Sequence, residues 1–115
     1  MKVALFAFNG DPMCFVHVLL NAFDLQDKGH EVAVVMEGAA TKLVKDLHED
    51  ESQALAPMWK KAKEAGVIAL VCKACANKMG ALESAQAQGL ALGADMAGHP
   101  SFSQYLENDW KVITF

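Results

Sequence analysis

Apolar residues fall along this chain in short runs parted by turn-forming clusters, and the runs alternate between two periods. "KVALFAF", residues 2–8, is continuously apolar and is stopped by "NGDP", the mark of a strand buried on both faces. From residue 13 to residue 28 the period becomes helical. Phe15, Val16, Leu19, Leu20 and Phe23 group on one side, with His17, Asn21, Asp24 and Lys28 opposite. Asp11 is placed to N-cap this helix, Pro12 sits in the first turn where no N–H is needed, and Gly29 closes the far end.

The alternation continues. "HEVAVVMEG" (30–38) reads as a second strand, "AATKLVKDLHED" as a short helix running into an acidic loop at residues 48–51, and "PMWKKAKEAG" as a helix opened by Pro57 and ended by Gly66. "VIALV" (67–71) is a third strand that delivers the chain to Cys72. Residues 74–88 read as two helical pieces divided by Gly80, and "GLALGADMAGHP" as loop. Ser101 and Gln104 fit a capping box for a helix to about Asn108, and "WKVITF" is a final strand.

Strands alternating with helices predict right-handed crossovers and a parallel sheet with helices on both faces. The expected architecture is one α/β domain over residues 1–115. It is a flavodoxin-like or Rossmann-like three-layer sandwich, with a mostly parallel sheet of about four to five strands in the core order 2-1-3-4. In that order functional groups gather outside the carboxyl ends of strands 1 and 3. The first of these turns carries Asn9, Gly10, Asp11 and Cys14, and the second Cys72, Lys73 and Cys75, so all three cysteines are expected to meet in one crevice.

Composition removes several function classes. The net charge is −4 and all ten basic residues are lysine. Without the guanidinium forks that read phosphates and guanine edges, and without a basic tract, nucleic acid is not an expected partner. No apolar run approaches the roughly 18–20 residues of a membrane span, and "MKVALFAFNGD" meets an acidic turn and proline too early for a signal peptide. Three cysteines cannot pair completely within one chain, which points to a reduced, intracellular protein.

Cys72 carries the strongest chemical signal. A thiol where a strand meets a helix N-terminus faces backbone N–H groups and the positive end of the helix dipole, with Lys73 and Lys78 adding positive potential; all favour thiolate. Four uses remain open for "CKAC". It suits a redox dithiol, although no antiparallel hairpin follows as a thioredoxin fold requires. It could nucleate a zinc site from Cys14, Cys72 and Cys75 with His99 or His17. It could carry sulfur, or simply pack as small hydrophobes. His17, His30 and His48 read as exposed or turn residues, and Met13, Met36 and Met79 as packing. Glu37 and Asp11 could act as acid or base, but isolated carboxylates at strand ends are more often solvated or capping. No phosphate-binding loop or G-x-S-x-G elbow occurs.

Taken together, "KVALFAFNGD", a helix, "GHEVAVVMEG", "GVIALVCKACANKMG" and the closing "WKVITF" resemble the DsrE/DsrF-like family of small sulfur-relay proteins over nearly the whole chain. The resemblance implies a cytoplasmic dimer, trimer or hexamer. It also implies that the cysteine after the third strand, here Cys72, carries a persulfide between donor and acceptor proteins. Two features depart from the family pattern. The loop holds a second cysteine, and "KMG" stands where an arginine often precedes glycine. The expected function is therefore a sulfurtransferase-like carrier with Cys72 as acceptor and Cys75 as resolving thiol. Asn9, Gly10, Cys14 and Lys73 would surround the substrate, and no cofactor is required. A zinc-binding module and a non-catalytic oligomeric subunit are the alternatives.

Overall fold

Parallel pairing organises the whole chain, residues 1–115 of which are described by a computed structural model. In order the elements are β1 (Lys2–Ala7), α1 (Pro12–Asp27), β2 (Glu31–Met36), a single 3-10 turn (Gly38–Ala40), α2 (Thr41–Glu49), α3 (Ala56–Glu64), β3 (Ile68–Cys72), α4 (Lys73–Lys78), α5 (Leu82–Ala87), β4 (Leu92–Gly93), α6 (Ser103–Leu106) and β5 (Lys111–Thr114). Every strand pair is parallel. No helix is long and apolar enough to cross a membrane.

The α/β class is the one expected, but the strand order is not. The sheet runs β4-β3-β2-β1-β5, so β3 pairs with β2 and β1 lies between β2 and β5. The first three crossovers each step to the next strand in the same direction. Right-handedness then puts every intervening helix on one face, while the return from β4 to β5 runs the other way and puts α6 on the opposite face. Alternation along β1 displays both sides. Val3, Leu5 and Ala7 join a core with Phe15 and Leu19 of α1, Leu43 of α2, Trp59 of α3, Ala76 of α4 and Ala85 of α5. Ala4 and Phe6 meet only Tyr105 of α6 among the buried helical residues. Helices do flank both faces, five on one and a single short one on the other.

Local chemistry sets the ends of α1. Asp11 Oδ1 accepts the Met13 N–H at 2.9 Å, Pro12 occupies the first turn, and Gly29 follows the helix at φ +86°. Its buried face is Phe15, Val18, Leu19 and Ala22, whereas Leu20, expected inside, is 51% exposed. Positions 15, 18, 19 and 22 follow the i, i+3, i+4, i+7 stripe more closely than the larger residues did. Each fully buried Phe or Leu contributes about 1.5–3 kcal/mol. The small residues Ala76, Ala81 and Ala85 are fully buried, letting the short α4 and α5 lie close to the sheet. The last helix is shorter than expected. Ser101 Oγ accepts the Gln104 N–H at 3.3 Å, but the Ser101 N–H is taken by Asp95, so the capping box is only half made.

Candidate functional site: two thiols, an imidazole and a carboxylate

Three chain segments bring the reactive groups together at the carboxyl end of the sheet. The strand β3 ends in Cys72, which is the N-cap of α4 and whose Sγ accepts the Cys75 N–H at 3.4 Å. One strand over, Glu37 directly follows β2, and its N–H donates to Ala7 O at 2.8 Å. The third segment leaves β4 and doubles back. Met96 and His99 exchange N–H···O bonds of 2.8 and 3.0 Å around Ala97 and Gly98, which sit at φ +51° and +92°, the two-residue reversal of a primed hairpin turn. Asp95 fixes the base of this loop by accepting the Ser101 N–H at 2.9 Å and the Ser101 hydroxyl at 2.5 Å.

The loop is pressed onto the sheet where only glycine fits. A Cβ on Gly93 would lie 2.6 Å from Pro100 Cβ. With Pro100 docked there, the preceding His99 places Nδ1 3.1 Å from Cys72 Sγ and 3.5 Å from Cys75 Sγ. Gly98 O accepts the Ala74 N–H at 2.9 Å and lies 3.8 Å from Cys72 Sγ, tying the loop to the start of α4. Ligand-type atoms of Glu37, Cys72, Cys75 and His99 all lie within 4.8 Å of one another.

The two thiols are not equivalent. Cys75 opens onto a cavity of about 480 Å³, lined also by Glu37 and His99 and walled by Phe8, Met96, Pro100 and Phe102. Cys72 lies behind it and is 0% exposed. Burial pushes the Cys72 thiol up to about 12; the Cys75 N–H opposes the shift, and the Cys75 thiol and Glu37 carboxylate add to it. Glu37, 5% exposed, is likewise raised by burial, against the hydrogen bond from Cys72 and the charge of His99. The thiolate expected at Cys72 is therefore a thiol at neutral pH. Desolvation and a neighbouring acid outweigh one N–H and a helix of six residues.

The expected convergence of three cysteines does not occur. Cys14 is outside the group that Glu37, Cys72, Cys75 and His99 form. The cause is the strand order, since β2 separates β1 from β3 by two strand spacings, about 9–10 Å. Asn9 is spent in the turn, its Oδ1 accepting the Asp11 N–H at 2.8 Å, and Gly10 packs where a Cβ would meet Ala39 O at 2.7 Å. Lys73 is exposed along a separate groove with Asn77, Leu82 and Ala94. In place of these residues, Glu37 and the apolar wall formed by Phe8 and Phe102 belong to the site.

Comparison with known proteins identifies the family. The DsrE/DsrF-like family matches residues 2–115.

The chain belongs to the DsrE/DsrF-like family.

As a DsrE/DsrF-like protein it is 35% identical over 98 residues to the uncharacterized protein MJ0733 of Methanocaldococcus jannaschii, an alignment covering 85% of this chain and 77% of that one. An uncharacterized protein of Archaeoglobus fulgidus is 42% identical over 40 residues, 35% of this chain and 66% of its own length. Among solved structures, BT1422 of Bacteroides thetaiotaomicron, a conserved protein of unknown function, superposes with a TM-score of 0.73. It covers 99% of this chain and 94% of its own at 16% identity, a likeness of fold.

Proposed function

We propose that this DsrE/DsrF-like chain is a dithiol sulfur carrier in which Cys75 receives sulfane sulfur at the cavity wall and Cys72 stands behind it as the resolving thiol. The observation that carries this is one imidazole nitrogen, His99 Nδ1, within 3.5 Å of both sulfurs at the edge of an open cavity. These roles reverse those expected from sequence, because only Cys75 lines the cavity.

Loading starts with transfer of the Cys75 proton to His99. The Cys75 thiolate attacks the outer sulfur of a donor persulfide, R–S–SH. The donor S–S bond breaks, R–S⁻ departs with the proton from His99, and Cys75–S–SH remains. Discharge repeats the exchange, as an acceptor thiolate takes the outer sulfur and Cys75 recovers its proton. With no acceptor present, Cys72 loses its proton to His99 and attacks the inner sulfur of Cys75. That step releases hydrosulfide and leaves a Cys72–Cys75 disulfide, which two equivalents of external thiol reduce. The cycle as written needs no bound cofactor. Donor and acceptor are persulfide- and thiol-bearing molecules or proteins that fit a cavity with two aromatic walls.

Trypsin reads the two sites separately, because Lys73 and Lys78 put Cys72 and Cys75 on different peptides. After anaerobic exposure to polysulfide, an increment of about 32 Da is expected on residues 74–78. It should be absent in Cys75→Ser and should persist longer in Cys72→Ser, where hydrosulfide release is blocked. Undiminished loading of the Cys75→Ser chain would overturn the assignment.

A further inference from the structure

The same four side chains have a second capacity that sulfur transfer does not use. We propose that Glu37, Cys72, Cys75 and His99 form a tetrahedral site for a thiophilic divalent cation, zinc being the best match. The donor set is two sulfurs, one imidazole nitrogen and one carboxylate oxygen, all mutually within 4.8 Å. In tetrahedral zinc sites, bonds of about 2.3 Å to sulfur and 2.0–2.1 Å to nitrogen or oxygen put neighbouring ligand atoms roughly 3.3–3.8 Å apart. The two sulfur-to-nitrogen separations, 3.1 and 3.5 Å, are already near that edge length. A small outward movement of His99 accommodates the ion.

A second observation points to a cation independently of the spacing. Glu37 is 5% exposed and directed at a buried thiol, yet it forms no ion pair; the chain's sole salt bridge joins Lys28 and Asp24 on the surface. A buried acid either stays protonated or gains a cationic partner, and at the cavity wall beside two thiols and an imidazole a metal ion is the partner this donor set offers Glu37. The site is also held ready. The Met96–His99 reversal aims the imidazole, the Cys75 N–H orients Cys72 Sγ, and the cavity beside Cys75, His99 and Glu37 is an entry path.

Bound metal would engage both thiolates, so zinc and sulfane sulfur compete for one site. The test uses the full chain after treatment with chelator. Zinc should bind one per chain in competition with a chromophoric chelator. Cobalt(II) should show the visible bands of tetrahedral coordination with thiolate-to-cobalt charge transfer. Glu37→Gln and Cys75→Ser should each weaken zinc by about 100-fold or more, beyond the roughly 10- to 100-fold that loss of an outer-shell partner costs. Cys14→Ser should bind like the parent. The zinc-loaded chain should resist polysulfide until chelator is added. Sub-stoichiometric zinc, octahedral cobalt without charge transfer, or unchanged affinity in Glu37→Gln would overturn the metal site. Because the parent chain supplies the stoichiometry and cobalt spectrum, a poorly folded variant does not remove the test. Polysulfide loading of metal-free protein tests the carrier reading separately.

Discussion

Replacing Gly93 with alanine should loosen the loop that brings His99 to the thiols. The added Cβ would stand 2.6 Å from Pro100 Cβ, 3.2 Å from its Cγ and 3.4 Å from Leu70 Cδ1, against a normal carbon contact of about 3.5–4.0 Å. The first contact is short by about 0.9–1.4 Å, and a proline ring cannot swing away as a flexible side chain would. Either β4 or the segment around Pro100 must move. Overpacking of this kind costs about 1–3 kcal/mol, which in a domain of this size lowers Tm by roughly 5–15 °C. His99 adjoins Pro100, so displacement of the ring also lengthens the 3.1 and 3.5 Å contacts from Nδ1 to the sulfurs. Calorimetry combined with polysulfide loading of the 74–78 peptide checks both effects. The expected result is a lower Tm and loading slowed at least tenfold. An unchanged Tm with parental loading would mean that Pro100 yields freely and that its docking does not position His99.

Two other outcomes follow from different parts of the fold. The folded Cys72 thiol holds its proton to about 12 against a reference of 9.0, so its contribution is fully present below pH 9 and is lost as pH rises toward 12. In chelator-containing buffer, the parent chain should lose stability with rising pH more steeply than Cys72→Ala between those values, by on the order of 1 kcal/mol per pH unit, and parallel urea-denaturation curves would refute this. On the five-helix face, Gln88 accepts from Trp59 Nε1 at 3.0 Å and donates to Val44 O at 2.8 Å. Gln88→Leu leaves the buried Trp59 Nε1–H without its acceptor and should cost about 1–3 kcal/mol while sulfur loading of the folded fraction stays parental; unchanged stability would refute the role given to this bridge.

The alternation of periods made most elements legible, because buried parallel strands and amphipathic helices each leave a distinct pattern. Strand order left none. β1, β2 and β3 are similarly apolar, and either placement of β1 would bury them equally well. That single ambiguity misplaced Cys14, Asn9 and Gly10 relative to the cysteines of "CKAC". Glu37 looked like an ordinary solvated acid at a strand end, and nothing local announces that it is buried against Cys72. His99 was recognisable as a candidate, but its position depends on β4, a strand of two residues, and on a glycine-limited approach. Cys72 was legible as a special position, although its ionisation was read with the wrong sign. The helix terminus is visible in the sequence, whereas the desolvation that defeats it arises only from tertiary packing.

The unequal clothing of the sheet bears on how such a protein can diversify. Trp59, Phe15 and Leu19, among its largest fully buried side chains, lie under the five helices. His99, Pro100 and Phe102 belong instead to the segment that returns the chain from one sheet edge to the other. Substitutions at Met96 or Phe102, both exposed, can reshape the approach to Cys75 while leaving the main core intact. Selection could thus retune which molecule reaches Cys75 without drawing on the reserve that keeps the domain folded.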